Sequence, residues 1–239
     1  MSHIHLPDGI LPVRIWLAGF LLTALLVGVL WQGGRATARP RRFALLGLFA
    51  ATMMLVMTIE LPPFGYHFNL TVVSGIILGP QLSVLAALIV NTLLALLGHG
   101  GITVIGLNTL SISAEMMAGA AVFHLLSRWG AGVRPAGFVA VLCGLATGTG
   151  VSFGIISLGR PWIDATLRAA TLRPGAELAP GIAGPELDLT RLALLMFGLG
   201  AIGWVVEGLF SGAVLVYLRR VYPGLIDDEP ARALPGEEA

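Results

Sequence analysis

Polar residues are sparse along this chain, and where they gather they divide it into long apolar runs near 13–31, 43–61, 82–97, 102–126, 136–158 and 189–218. A helix needs about 20 apolar residues to cross the hydrocarbon layer of a bilayer, so each run predicts a transmembrane helix. A shorter run, 68–78, lies between Pro62-Pro63 and Gly79-Pro80. Its length suits a short steep helix, or a broken one that lines a cavity. Counted as a crossing, it makes an all-α bundle of seven transmembrane helices.

Charge sets the expected orientation. Arg35, Arg39, Arg41 and Arg42 crowd the first connection, Arg128 and Arg134 flank another, and Arg219 and Arg220 follow the last run. Arginine-rich connections stay in the cytoplasm. Seven crossings put all three clusters there, with the amino terminus outside and the carboxyl terminus cytoplasmic. Ala36-Thr37-Ala38 resembles a signal-peptidase site, but a signal peptide carries its charge ahead of the apolar run, where this chain has only Arg14. Residues 1–225 then form a single transmembrane domain, in which 159–188 is the long outer loop. Residues 226–239, with Asp227, Asp228, Glu229, Glu237 and Glu238, are expected to be a disordered acidic cytoplasmic tail.

Composition agrees with a cell-membrane location: 56% of residues are hydrophobic and 11% charged, far from the proportions of a soluble domain. The net charge of +1 points to no nucleic acid or other acidic polymer. A lone Cys143 excludes a disulfide framework and a Cys-rich zinc site, and is expected to be a small packed residue. The 32 glycines suit helices that approach closely. In the first run Gly19, Ala24 and Gly28 offer small residues at spacings of four to five, either for docking a partner helix or for packing within the chain.

The histidines change the picture. With this orientation His3 and His5 lie outside with the amino terminus, His67 follows the outer turn Pro62-Pro63-Phe64-Gly65-Tyr66, and His99 sits in the outer turn Gly98-His99-Gly100-Gly101. Four of the five histidines share one face, and His124 lies near the inner end of its helix as an interfacial residue or partner contact. An amino-terminal Met1-Ser2-His3 offers amine, amides and imidazole, a flat nitrogen set that suits Ni(II) or Cu(II). Removal of Met1 leaves Ser2-His3 with three nitrogens and a fourth position for His5 or His67. The bland reading of each histidine is an interfacial hydrogen-bonding residue.

Polar residues inside the runs face a cavity or a neighbouring helix because lipid penalises them. Asn69, Thr71 and Ser74 follow His67, and Asn108, Thr109, Ser111 and Ser113 follow Gly100-Gly101. Asn69, Asn108 and Thr71 are expected to hold the imidazoles by hydrogen bonds, while Ser111 and Ser113 suit ordinary bonds between helices equally well. Glu60, Glu115 and Glu207 are candidates for an entry carboxylate or a partner in an intrahelical network. There is no His-Glu-x-x-His, no Gly-x-Ser-x-Gly and no phosphate-binding loop, so uphill transport would take its energy from another subunit.

Three ordered motifs carry a specific resemblance: His5-Leu6-Pro7-Asp8-Gly9-Ile10-Leu11-Pro12, Tyr66 to Thr71 leading into Gly75-Ile76-Ile77-Leu78-Gly79-Pro80, and Gly98 to Thr109. The chain resembles the CbiM/NikM family, the membrane-embedded substrate-capture components of energy-coupling-factor cobalt and nickel importers. The likeness runs from His5 to about Gly119 and is faint beyond. It implies a seven-helix fold with the amino terminus tucked into the bundle and Ni2+ or Co2+ as transported substrate, with no bound organic cofactor. Implied ligands are amino-terminal nitrogens including Ser2 and His3, with His5 and His67; His99 and Asn108 fall in the glycine motif around the site. Implied partners are a transmembrane coupling protein, cytoplasmic ATPase subunits and a small accessory membrane subunit. Family members begin Met-His, whereas His5 here lies three residues further in, so His3 takes the chelating role or His5 acts by its imidazole alone. Two rivals remain: a vitamin-binding capture component, which needs an aromatic-lined pocket, and an intramembrane metal-dependent enzyme, which needs a carboxylate such as Glu60 beside the histidines.

Overall fold

The computed structural model describes residues 6–32, 40–58, 67–171 and 187–226, and every regular element in them is helical. In chain order the main helices are α1 (Val13–Gln32), α2 (Pro40–Thr58), α3 (Thr71–Leu96), α4 (Ile105–Arg128), α5 (Val133–Thr171) and α6 (Leu189–Val221). Among the described residues these six are long and apolar enough to cross a membrane. Residues such as Leu17, Leu21, Leu25 and Val29 on α1 and Leu194, Leu199 and Ile202 on α6 point outward, as expected where hydrocarbon replaces water.

The short run 68–78 is the leading part of α3. All of 71–78 is buried, with Val72, Val73, Ile76 and Ile77 in the main core. Eight helical residues rise only about 12 Å, well short of a 30 Å hydrocarbon layer. The helix breaks at Gly79 (φ 73°, ψ 172°), immediately before Pro80. Glycine takes that backbone without steric cost, and proline can add no amide bond to the preceding turn. A straight helix of 26 residues would be about 39 Å long. The rings of His67 and His99, which flank α3, are nonetheless 6.5 Å apart between centroids, so the bend returns both ends of α3 to the same end of the bundle.

Close packing around α4 depends on small residues. A Cβ on Gly75 would lie 2.6 Å from the Met116 carbonyl oxygen, and one on Gly106 would lie 2.6 Å from the Phe20 backbone nitrogen. Ser111 donates to the Gly148 carbonyl at 2.8 Å and lies 2.7 Å from the Ser152 hydroxyl, joining α4 to α5. Ser113 is buried with no hydrogen-bond partner among the described residues.

Two expectations are corrected. The outer loop was expected to begin at residue 159, but α5 continues through Pro161 to Thr171. Pro161 removes one amide bond, while Trp162, Ala165 and Leu167 continue the helical sequence and Arg160 pairs with Asp164 one turn on at 3.4 Å. Asp164 also accepts from the Leu187 amide at 2.6 Å, tying the end of α5 to the start of α6, where Asp188 caps Thr190 and Arg191. Cys143, expected to be packed, is exposed on the outer surface of α5. The acidic segment from residue 227 onward lies outside the described residues.

Candidate metal site

The beginning of the described chain is fastened to the turn before α4. Leu6, 1% exposed, donates its amide to Asn108 Oδ1 at 3.0 Å, and Asn108 Nδ2 returns a bond to the Leu6 carbonyl at 3.2 Å. The same carbonyl accepts the Gly101 amide at 3.1 Å. A side-chain amide can satisfy both the N–H and the C=O of one residue, which is what a buried backbone segment outside a helix requires.

Asp8 completes the fastening from the other side. Its carboxylate accepts from the amides of Ile102 (2.9 Å) and Thr103 (2.8 Å) and from the Thr103 hydroxyl. The Thr103 hydroxyl holds the Asp8 carboxyl below its ordinary value, opposed by desolvation and helped by the two amides. Gly101 makes the contact possible: a Cβ there would fall 2.5 Å from the Asp8 nitrogen. Leu11, 5% exposed, packs against Gly159 of α5 and joins Leu6, Val104 and Leu107 in an apolar cluster beneath the turn.

His99 stands two residues before Gly101 on this turn, exposed, with its amide bonded to the Leu94 carbonyl at 2.8 Å. His67 is 8% exposed and meets it edge to face. With metal–nitrogen bonds near 2 Å, two imidazoles on one ion have ring centres at most about 6 Å apart. At 6.5 Å the two rings stand slightly beyond that separation. Among the described residues no three His, Cys, Asp or Glu side chains converge on a metal-sized space. Ser2, His3, His5 and Glu60 lie outside the described residues.

Below His67 the backbone takes an unusual form. Leu70 is left-handed (φ 52°), and Glu207 Oε1 accepts the amides of both Asn69 and Leu70 at 3.1 Å. Asn69 Nδ2 donates to Glu115 Oε1 at 3.1 Å, its Oδ1 accepts the Thr71 amide at 3.2 Å and hydroxyl at 3.0 Å, and the Thr71 hydroxyl also contacts Glu115. Glu115 and Glu207 are each 1% exposed. Asn69 and Thr71 thus link the His67 segment to two buried carboxylates, whereas Asn108 holds the Leu6 backbone. Glu115 and Glu207, expected as an entry carboxylate or as partners within a helix, instead bond to the 69–71 segment, and nothing local in the sequence links Glu207 to a residue 138 positions away.

The remaining candidates lie elsewhere. His124 is at the far end of α4, lining a cavity with Arg128 and Arg219. Gly19 is taken up inside the bundle, where a Cβ would fall 2.5 Å from Leu107 Cγ, while Ala24 is exposed and Gly28 faces open space.

Comparison with known proteins decides the identity. Residues 5–225 match CbiM, the cobalt uptake substrate-specific transmembrane region. The chain belongs to the CbiM family. It is 27% identical to the cobalt transport protein CbiM of Sorangium cellulosum, with 98% of this chain and 99% of that protein covered. It is 28% identical to part of a fused cobalt transport protein CbiMQ from Methanocorpusculum labreanum, covering 65% of this chain and 27% of that protein. A crystal structure described as a transition metal transporter shares its fold, with a TM-score of 0.72 at 16% identity over 91% of this chain and 93% of that one. As a CbiM family member the chain is a multi-pass membrane component of cobalt or transition-metal uptake rather than an enzyme.

Proposed function

We propose that this CbiM protein is the capture subunit of an ATP-driven importer that takes Co2+ or Ni2+ at the extracellular mouth of its bundle. The ligands are His67, His99 and nitrogen donors from the first five residues, with His3 and His5 as imidazoles and the amine and Ser2 amide as further donors. One observation carries this reading: Asn108 and Gly101 fasten Leu6 to the turn that bears His99, whose ring lies 6.5 Å from that of His67. Five residues extend at most about 17 Å, so a chain leaving Leu6 stays within the neighbourhood of both rings. Imidazole and amine nitrogens suit Ni(II) and Co(II), and the exposed His99 serves as the ring that moves to accept the ion.

The arginine clusters support the amino terminus outside and the carboxyl terminus in the cytoplasm, with 1–225 as the capture domain and 226–239 as its acidic cytoplasmic tail. Inward delivery draws on a transmembrane coupling protein, cytoplasmic ATPase subunits and a small accessory membrane subunit. Fusion of a related region into a longer cobalt transport protein supports an assembly of this kind. On α1, Ala24 and Gly28 remain available to a partner helix, while Gly19 serves packing inside the chain.

The test is metal stoichiometry of the purified protein by mass spectrometry. Replacement of His3, His5 and His67 by Ala is expected to abolish bound Co2+ and Ni2+; unchanged stoichiometry defeats the assignment. One residue added before Met1 should weaken binding if the terminal amine is a ligand, and wild-type affinity would remove the amine from the set.

A further inference from the structure

We infer that Glu207 of α6, together with Glu115 of α4, is a positioning residue for His67, holding the 67–71 segment in the geometry that metal capture needs. This deepens the proposed site and rests on His67 being a ligand.

A carboxylate inside a lipid-embedded bundle is costly, so its hydrogen bonds report its use. Glu207 Oε1 takes two consecutive amides, those of Asn69 and Leu70. Consecutive amides turned to one side form a concave site for an acceptor, and the left-handed Leu70 follows directly, turning the chain from this site into α3. The acceptor occupying this site is the protein's own Glu207 side chain. Glu115 fixes the adjoining side chains of Asn69 and Thr71, and it lies against Gly148, where a Cβ would fall 2.7 Å from Oε2.

The two halves of the metal site are consequently tied to different elements. The amino-terminal segment is fastened to α4 and the turn before it, through Asn108, Gly101 and Thr103. His67 is tied to α6 as well, through Glu207, with only Phe68 between it and Asn69. The His67 segment therefore bridges α4 and α6, through Glu115 and Glu207, whereas the amino-terminal segment is held by α4 and the turn before it.

The experiment uses Co2+ as probe, with affinity from titration and ligand-field geometry from its visible d–d bands, on full-length protein in detergent whose helical content is verified. Glu207→Ala empties the acceptor site and is expected to weaken Co2+ binding by about 10–100-fold, as loss of a ligand-orienting partner usually does, with altered bands. Glu207→Gln keeps an acceptor oxygen and should retain both affinity and bands. Wild-type binding by Glu207→Ala overturns the inference; so does a loss in Glu207→Gln equal to that in Glu207→Ala, because charge and not amide capture would then be responsible. If Glu207→Ala fails to fold, Asn69→Ala, which cuts the bridge to Glu115, should still bind Co2+ more weakly with shifted bands, and wild-type behaviour there overturns the inference. His67→Ala separates the two claims: if it binds like wild type the site reading falls, whereas loss in His67→Ala alone removes only the positioning role.

Discussion

At the scale of single residues, the most consequential side chain after the histidines is Asn108. It spends both ends of its amide on the backbone amide and carbonyl of Leu6, a buried residue that belongs to no helix. Asn108→Leu leaves that amide without its acceptor, a loss of about 1–3 kcal/mol for a buried donor. Thermal unfolding should register this loss. Metal affinity should fall alongside it, because the segment following the proposed amino-terminal ligands then keeps only its Gly101 and Asp8 bonds to the turn of His99; undiminished affinity would mean that the Asn108 clamp is irrelevant to capture.

Asp8 makes a separate, pH-dependent contribution. Its carboxyl is held below 3.8 in the folded protein, chiefly by the Thr103 hydroxyl. A carboxyl depressed on folding stabilises above its unfolded value and stops doing so as pH falls through the folded one. The melting-temperature difference between wild type and Asp8→Ala should therefore stay constant from about pH 7 to 5 and shrink as pH falls from there through the folded value, which lies below 3.8. A difference that instead changed between about pH 7 and 5 would show that another group is responsible.

At the scale of elements, α3 and α4 meet across glycine. Gly75→Ala drives a Cβ to 2.6 Å from the Met116 carbonyl oxygen, where backbone must move, and a cost of about 1–3 kcal/mol is expected. Gly28→Ala on α1 meets nothing within 4 Å and should be neutral or slightly stabilising. Equal melting temperatures for the two variants would show that α3 and α4 are not packed as described.

The same elements show what was readable in the sequence. Long apolar runs announced α1, α2, α4 and α6 because lipid imposes a length and a composition on any spanning helix. The break in α3 was announced by Gly79-Pro80, a local signal. The extension of α5 past Pro161 was hidden, since proline usually ends a helix and the bonds that hold this end, from Asp164 to Leu187, cross 23 residues. At the site, His67 and His99 share one predicted face and their rings meet edge to face, whereas Asn108, expected to hold an imidazole, bonds to Leu6, a partner that no local signal in the sequence gives away. The carboxylates were not distinguishable from ordinary polar residues within helices, because their meaning comes from bonds to Asn69 and Leu70 that only the folded bundle creates.

At the scale of the whole molecule, the open question is which end of the bundle faces outward, and the geometry supplies reporters. Leu97, 62% exposed, follows α3 beside the His99 turn, while Trp129, 73% exposed, follows α4 at the opposite end. Helix α4 contains 24 residues and is about 36 Å long, enough to place its two ends on opposite sides of a bilayer. In a Cys143→Ser background, Leu97→Cys should react with a membrane-impermeant maleimide added to intact cells, and Trp129→Cys should react only after the membrane is opened. Arginines 128 and 134 flank the second position, so the charge rule and the capture proposal require the same answer. Labelling of Trp129→Cys from outside would place the histidine mouth in the cytoplasm, and capture of external metal at His67 and His99 would then be physically impossible.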